Sequence, residues 1–447
     1  MGKDNVVLVL GAGADKTKGI DFPVAADLLS QISVYLSTDE GKAVEKALRD
    51  SIPNLTFRFD KFINNAISEI AHREPEQLKW TVARVQEAVS SLPDDDASTP
   101  IKKQGQLIIR LFNQLQSISA TNAIDEETRT LIREVFGDQA NEFDLDDHIL
   151  NLGTMSVSDT FKAILRYVLK QSLEAEANDV ARALGADMLD IEQLLVNKFL
   201  GFYNNKLSDI KSYVYISWCL WAFLSHKDKE VKAKNSGGVP FYSNIPTEWK
   251  AITLNYTSFL QGQLGTEKSS YFHGGLLTYV RMDNRELLRF DQYDDKNPTE
   301  LLEQQVCPSL KFDKENPANS VCLIPSLVPP LRLKPILSHH YIKTWYSASD
   351  WLEKADVIVI IGYSLNSADE HFNDILRSNS HKKTIIINPD AHNEQFLSLV
   401  TRIYAVAVSQ LTDFQIQGCK AKKSQKLILI NAYADACNLA ELPELFQ

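Results

Sequence analysis

The residues that decide the fold are 6–15, Val6-Val7-Leu8-Val9-Leu10-Gly11-Ala12-Gly13-Ala14-Asp15. Five branched apolar residues predict a strand that is buried on both faces, and Gly11 and Gly13 let the backbone turn sharply and approach a ligand closely. A helix is expected to begin between Pro23 and Asp27, because proline suits a first turn. Strand, glycine loop and helix in this order are typical of a doubly wound α/β domain that binds a phosphate. A plain strand-to-helix turn explains the loop equally well, since the third glycine of the common dinucleotide fingerprint is missing.

The composition is that of an ordinary globular protein of 447 residues, with 44% hydrophobic and 23% charged residues. Its formal net charge of −11 argues against direct nucleic-acid binding, because binding phosphates requires a concentrated positive surface. We find no secretory signal and no apolar run long enough to span a bilayer, and therefore expect a cytoplasmic protein without membrane contact. The five cysteines form no Cys-x-x-Cys pair, so we expect reduced thiols and no zinc or other metal site.

A long block from about residue 25 to residue 224 has apolar positions at spacings of three and four, which indicates amphipathic helices. Helices are predicted near residues 59–70, 78–89, 107–115, 161–173 and 213–224. Strand patterns return at residues 249–254, 356–361 and 384–387, and helices are predicted at 341–353 and 367–376. A lysine cluster is expected to lie in a solvated loop; it consists of Lys420, Lys422, Lys423 and Lys426.

The order of these elements predicts an α/β protein, because buried strands that alternate with helices form a parallel sheet covered by helices. The first strand precedes the helical block and the others follow it. The simplest fold is therefore one Rossmann-like parallel sheet, interrupted by a large all-helical insertion. Residues 1–35 and 245–447 are assigned to the discontinuous sheet domain, and residues 36–244 to the insertion.

Polar or glycine residues follow each predicted strand and also follow Tyr271-Phe272, at the edge where ligands bind in an open parallel sheet. They are Gly11-Ala12-Gly13, Asn255-Tyr256-Thr257, His273-Gly274, Gly362-Tyr363-Ser364 and Asn388-Pro389-Asp390. Five such placements are hard to explain by strand caps alone, so this edge is predicted to be the functional site.

These motifs and their order resemble the sirtuin-like superfamily of NAD-consuming proteins. The matching stretches are Gly11-Ala12-Gly13-Ala14, Thr253-Leu254-Asn255-Tyr256, Phe272-His273-Gly274, Gly362-Tyr363-Ser364-Leu365 with Ala368-Asp369-Glu370-His371, and Ile387-Asn388. The resemblance covers about half of the chain and looks closest to the bacterial phage-defence type. Two features depart from the family: its protein deacetylases have four zinc-binding cysteines that are absent here, and Thr257 stands where an aspartate is usual.

The resemblance implies a role for each motif. Gly11, Ala12 and Gly13 would hold the pyrophosphate through backbone N–H groups, with Ala14 and Asp15 adjacent. Asn255 would hold the nicotinamide ribose and a water molecule, and His273 would act as general base, a task that suits an imidazole. The other residues expected to bind NAD are Thr257, Gly362, Tyr363, Ser364 and Asn388.

Structural explanations remain open for the same residues. Asn255 could cap the following helix, and His273 could be a turn histidine in front of two glycines. Asp369 and Glu370 are well placed to stabilise a helix N-terminus, which we favour over an acid–base role.

The resemblance, with the zinc cysteines missing, implies an NAD⁺ hydrolase (NADase) that releases nicotinamide and ADP-ribose. NAD would be its substrate, and it would act in anti-phage defence as a homo-oligomer. Its activity would be held back until infection or a regulatory protein partner, such as a helicase-like ATPase or an Argonaute protein, triggers it. The alternatives are a catalytically silent module that senses NAD or ADP-ribose and, less favoured, an NAD-dependent protein deacylase.

Overall fold

The structure is a computed structural model that describes residues 5–23, 28–73, 75–116, 124–137, 143–145, 148–150, 156–172, 177–188, 206–294, 296–328, 338–366 and 369–446. The chain forms two compact units. The first consists of Met1–Val24, Tyr35–Thr56 and Leu195–Gln447, and the second of Ala25–Val34 and Phe57–Leu194. The boundaries of these two units differ from the domain boundaries predicted from the sequence. The assignment of domains therefore remains a prediction.

Thirteen strands are present in the described residues. They are β1 Val6–Leu10, β2 Phe143–Leu145, β3 His148–Leu150, β4 Lys250–Thr253, β5 Ser269–Tyr271, β6 Gly274–Arg281, β7 Leu287–Leu288, β8 Leu323–Leu327, β9 Val357–Ile361, β10 Lys383–Ile387, β11 Thr412–Ile416, β12 Cys419–Lys423 and β13 Leu427–Asn431.

The described residues also contain fifteen α-helices. They are α1 Ala12–Asp15, α2 Leu28–Ser37, α3 Asp39–Ser51, α4 Phe59–Ala71, α5 Pro75–Ser91, α6 Thr99–Gln116, α7 Glu126–Phe136, α8 Val157–Gln171, α9 Asp179–Met188, α10 Leu207–Lys234, α11 Phe259–Leu264, α12 Pro298–Leu301, α13 His339–Lys354, α14 Glu370–Ser378 and α15 Glu394–Tyr404. No helix of the described part is both long and apolar enough to cross a membrane.

The first unit is built on an eight-stranded sheet in the order β11-β12-β13-β10-β9-β1-β4-β5. Six strands, from β13 to β5, run parallel, while β12 pairs in the antiparallel direction with both β11 and β13. Every residue of β1 and of β9 is buried, as their apolar runs predict for strands covered by helices on both faces. The predicted α/β fold class, with a Rossmann-like parallel sheet, is confirmed.

The second unit is helical, with the long helices α4 to α9 between β1 and β4. The helices predicted near residues 59–70, 78–89, 107–115 and 161–173 correspond to α4, α5, α6 and α8. The insertion is not entirely helical, since β2 and β3 pair as a short antiparallel ladder. Neither strand carries an apolar run longer than two residues, which explains why periodicity did not predict them.

Helix α10 belongs to the first unit and packs against a second sheet of three strands in the order β7-β6-β8. Two indole N–H groups fasten it there: Trp218 Nε1 donates to Leu323 O at 2.8 Å and Trp221 Nε1 to Leu276 O at 2.9 Å. Both rings also contact Tyr279 of β6. This packing fixes β6, the strand that follows His273.

Most of the lysine cluster is not in a loop, and only Lys426 lies in the turn between β12 and β13. Three of its members lie on β12, which pairs with β11 and β13 near one edge of the large sheet. Lysines are common near sheet edges because their charge opposes pairing with another chain. The start of the helix expected at 367–376 falls on residues 367 and 368, outside the described residues, and α14 covers the rest.

Candidate functional site

The register of the parallel strands aligns the ends of β1, β4, β9 and β10. Leu10 pairs with Thr253 on one side and with Ile361 on the other, and Ile361 in turn pairs with Ile387. The residues that follow these four strands therefore leave the sheet at the same level. This is the edge at which the sequence predicts the functional site.

The loops after β1 and β9 contact each other through their backbones. Gly11 N–H donates to Ile361 O and Gly13 N–H to Gly362 O, both at 2.9 Å. A Cβ atom on Gly11 would lie 2.6 Å from Gly362 O, and one on Gly362, whose φ is +64°, would lie 2.4 Å from the backbone nitrogen of Ala14. Only glycine allows this approach.

This arrangement limits what the glycine loop can offer a ligand. Two of the three N–H groups expected to hold a pyrophosphate already donate to carbonyl oxygens of the β9 loop. Ala12 opens a helical turn, and such a position has no intrahelical acceptor for its N–H. Ala14 is fully buried, and its N–H donates to Gly11 O at 3.0 Å.

Asp15 is a buried carboxyl group directly behind the glycine loop, with 4% of its surface exposed. Tyr242 Oη donates to Oδ1, and Thr257 Oγ1 donates to Oδ2 at 3.0 Å. Burial raises the pKa of Asp15 from 3.8 to about 7, and the charge of Asp228 adds to the rise, which the hydrogen bonds offset only in part. The carboxyl therefore changes protonation near neutral pH.

Asn255 lies next to this carboxyl and is 8% exposed. Its Nδ2 donates to Gly11 O at 3.0 Å, and its backbone N–H donates to Thr253 Oγ1 at the same distance. The following helix α11 has Ser258 as its N-cap residue, so Asn255 is not its cap. The side chain instead links the end of β4 to the glycine loop after β1.

Both ring nitrogens of His273 lie beside oxygen atoms, and the residue is 3% exposed. Nδ1 is 3.1 Å from Leu254 O. Nε2 is 3.1 Å from Oδ1 of Asp369 and makes no hydrogen bond to it or to another group of the described residues. If Nδ1 carries the proton and donates it to the carbonyl, neutral His273 has its free lone pair on Nε2. Asp369 thus faces the atom that would act as general base.

The position after His273 requires a glycine for a structural reason. Gly274 has a φ of +76°, and a Cβ there would lie 1.8 Å from Ser326 O of β8. The carbonyl of His273 accepts a hydrogen bond from Val328 N at 2.8 Å. The His-Gly pair therefore joins the large sheet to the three-stranded sheet, whatever else the imidazole does.

The other predicted ligand-binding residues differ in exposure. Ser364 is exposed, whereas Tyr363 is buried in the core and donates its hydroxyl to Asn373 Oδ1 at 2.8 Å. Asn388 is 6% exposed, and its Nδ2 donates to Tyr363 O at 3.1 Å. A ligand at this loop would thus contact the backbone of Tyr363 and not its side chain, while Asn388 holds the loop in place.

Two participants were not identified as such from the sequence. Tyr242 lies in a short 3₁₀ turn, Tyr242–Asn244, and is separated from Asp15 by 227 positions. No local sequence pattern could therefore predict the hydrogen bond between Tyr242 and Asp15. Asp369 was assigned a helix-stabilising role, yet its side chain makes no capping hydrogen bond to α14 and faces His273.

No group of three or more His, Cys, Asp or Glu side chains in the described residues could hold a metal ion.

No protein-family model matches the chain, and no curated protein matches it. Solved structures of similar fold include a Sir2 homologue in complex with ADP ribose, at 15% identity and a TM-score of 0.29 over 48% of this chain and 85% of that chain. They also include a Sir2 homolog–NAD complex, at 16% identity and a TM-score of 0.24 over 47% of this chain and 78% of that one.

Proposed function

We propose that this chain is an NAD⁺ hydrolase that releases nicotinamide and ADP-ribose. The observation that carries the proposal is the position of Asn255 and His273 at the same carboxyl edge of the sheet, beside the glycine loop. Asn255 contacts Gly11 O, and His273 contacts Leu254 O, the carbonyl immediately before Asn255. An amide, an imidazole and a glycine loop at this edge suit a dinucleotide substrate and a water nucleophile.

The proposed reaction breaks the bond between the nicotinamide nitrogen and C1′ of the ribose. The electron pair of that bond leaves with nicotinamide, so positive charge develops on the sugar. A water oxygen then bonds to C1′, and the proton that it loses passes to Nε2 of His273. Asn255 would hold the water and the ribose through its side-chain amide. The side chain of Asp369 has to move away from Nε2 so that the water or a ribose hydroxyl can reach this nitrogen.

Asp15 would influence binding of the pyrophosphate through its charge. A carboxylate behind the glycine loop repels a diphosphate, whereas a neutral carboxyl does not. With a pKa of about 7, Asp15 can be protonated when the substrate is bound. Tyr242 and Thr257 fix its orientation in either state.

We further propose that the activity is held back until it is triggered, as in a defence effector that depletes NAD during phage infection. Unregulated NAD loss would harm the cell that makes the enzyme, so a large helical unit suits a regulatory or oligomer-forming role. A helicase-like ATPase or an Argonaute protein is the partner that the sequence resemblance implies. The position of Asp369 beside Nε2 is compatible with such a restrained state.

A second candidate is a module that binds NAD or ADP-ribose without cleaving it. It is favoured by the oxygen atoms of Leu254 and Asp369 that lie beside the two ring nitrogens of His273. It is also favoured by Thr257, which stands where the sirtuin-like family usually has an aspartate and which donates to Asp15. Such a module would bind NAD with measurable affinity and release no nicotinamide.

Nicotinamide release from NAD by the purified chain distinguishes the two candidates. We expect release by the wild type and a loss of at least about 100-fold in Asn255→Ala and in His273→Ala. The matched controls are Asn316→Ala and His381→Ala, which change the same residue types at exposed positions. Release that persists in both site variants would contradict the proposal, and binding without release would favour the sensing module.

A further inference from the structure

A cavity of about 390 Å³ lies beside β5, the edge strand of the large sheet next to β4. Residues of β5, of the start of β6, of α11 and of α13 form its walls. Asn255, His273 and Asp15 do not line it, although Gly274, which follows His273, does, so the cavity adjoins the candidate NAD site without including its proposed catalytic residues. Its volume falls within the range of about 300–1,000 Å³ that is usual for small-molecule sites.

The charged residues of the cavity wall are all basic, although the chain as a whole carries a net charge of −11. Arg289 and Lys343 supply two permanent positive charges. Burial lowers the pKa of His340, and the neighbouring His339 and Lys343 add to the effect. Arg289 Nε is 3.1 Å from Asp291 Oδ1, but that carboxylate is 74% exposed and is not part of the wall.

Hydroxyl groups make up much of the remaining wall, since seven of its residues are serines or threonines. Ser270 is the most informative of them. Its residue is 6% exposed, and its Oγ is buried without a hydrogen-bond partner within the described residues. A buried hydroxyl without a partner destabilises the structure, and a bound polar group can supply the missing hydrogen bond.

We propose that this cavity binds a phosphorylated sugar. The basic side chains of Arg289 and Lys343 suit a phosphate group, which accepts charge-assisted hydrogen bonds. The serine and threonine hydroxyls suit a polyhydroxylated carbon chain, because a hydroxyl can both donate and accept. Ser270 Oγ then pairs with a sugar hydroxyl.

The test uses ribose 5-phosphate as the probe and isothermal titration calorimetry on the full chain. We expect saturable binding of the probe. Its affinity should fall at least about tenfold in Lys343→Ala and in Arg289→Ala, because each variant loses a charge-assisted hydrogen bond to the phosphate. Ser270→Ala removes an unpaired buried hydroxyl, so it should fold at least as stably as the wild type yet bind the probe about two- to tenfold more weakly. Lys420→Ala is the matched control, an exposed lysine on β12 near the other edge of the sheet.

Three results would overturn the proposal: no saturable binding, equal binding by Lys343→Ala and Lys420→Ala, or binding of inorganic phosphate as tight as that of ribose 5-phosphate. Asn255→Ala separates this cavity from the candidate NAD site. The proposal requires that Asn255→Ala binds the probe with unchanged affinity, and a parallel loss would place the probe in the NAD site instead.

Discussion

Replacing Asp15 with asparagine should remove a pH dependence of stability that originates in one buried carboxyl. Asparagine has nearly the same shape, retains an oxygen that can accept a hydrogen bond from Tyr242 or Thr257, and carries no titratable proton. The wild-type carboxyl is almost fully buried, so solvent screening does little to weaken its effect.

The magnitude follows from the pKa of Asp15 in the folded chain, about 7, against the ordinary 3.8 of an unfolded chain. Because the folded pKa is the higher one, the stabilisation is complete below pH 3.8 and is lost as the pH rises to about 7. Between pH 5 and pH 8 the loss comes to about 2.5 kcal/mol. For a unit of about 300 residues this corresponds to a fall in Tm of about 4 °C.

The assay is thermal unfolding of the wild type and of Asp15→Asn at pH 5 and at pH 8. Other groups also titrate in this range, but they are common to both proteins, so the difference between the two pH responses isolates Asp15. We expect the Tm of the wild type to fall by about 4 °C more than that of Asp15→Asn. Equal pH responses, or a larger fall in the variant, would refute a raised pKa at this position.

Three further predictions concern Gly362, Thr257 and the charge of Asp15. Gly362→Ala should destabilise the first unit by more than about 2 kcal/mol, because the new Cβ clashes with the backbone and the residue keeps a positive φ. Gly418→Ala is the control, since Gly418 also has a positive φ but open space around it, and thermal unfolding should show a smaller loss of stability there. Thr257→Val removes a donor to the Asp15 carboxyl and should cost about 1.5–3 kcal/mol at pH 8, where the carboxylate is ionised, and less at pH 5. NAD affinity, measured by calorimetry, should fall from pH 6 to pH 8 in the wild type and stay level in Asp15→Asn; a parallel fall in both would exclude Asp15 as its source.

Much of the fold could be predicted because it depends on local apolar runs. The strands β1 and β9 are continuous branched apolar stretches, β10 ends in three isoleucines, and these three strands form the centre of the sheet. The run Leu427-Ile428-Leu429-Ile430 has the same character and forms β13, so the same pattern could have predicted it. By contrast, β12 is a lysine-rich strand whose pairing with two neighbours decides its conformation.

The position of the site could be predicted for a topological reason, since the carboxyl ends of parallel strands meet at one edge. Its contacts could not. The Asp15–Tyr242 bond and the His273–Asp369 contact join residues that are far apart in the sequence, and their pairing depends on how loops pack above the sheet. The raised pKa of Asp15 likewise results from burial, which its polar neighbours in the sequence do not suggest.

The measurement that tests the proposed function most directly is NAD cleavage in water enriched in ¹⁸O, with mass analysis of both products. Hydrolysis assisted by His273 and Asn255 predicts nicotinamide without label and ADP-ribose that carries one ¹⁸O atom at C1′. Nicotinamide release with an unlabelled or cyclic sugar product would contradict hydrolysis, and NAD that binds and stays intact would contradict an active enzyme.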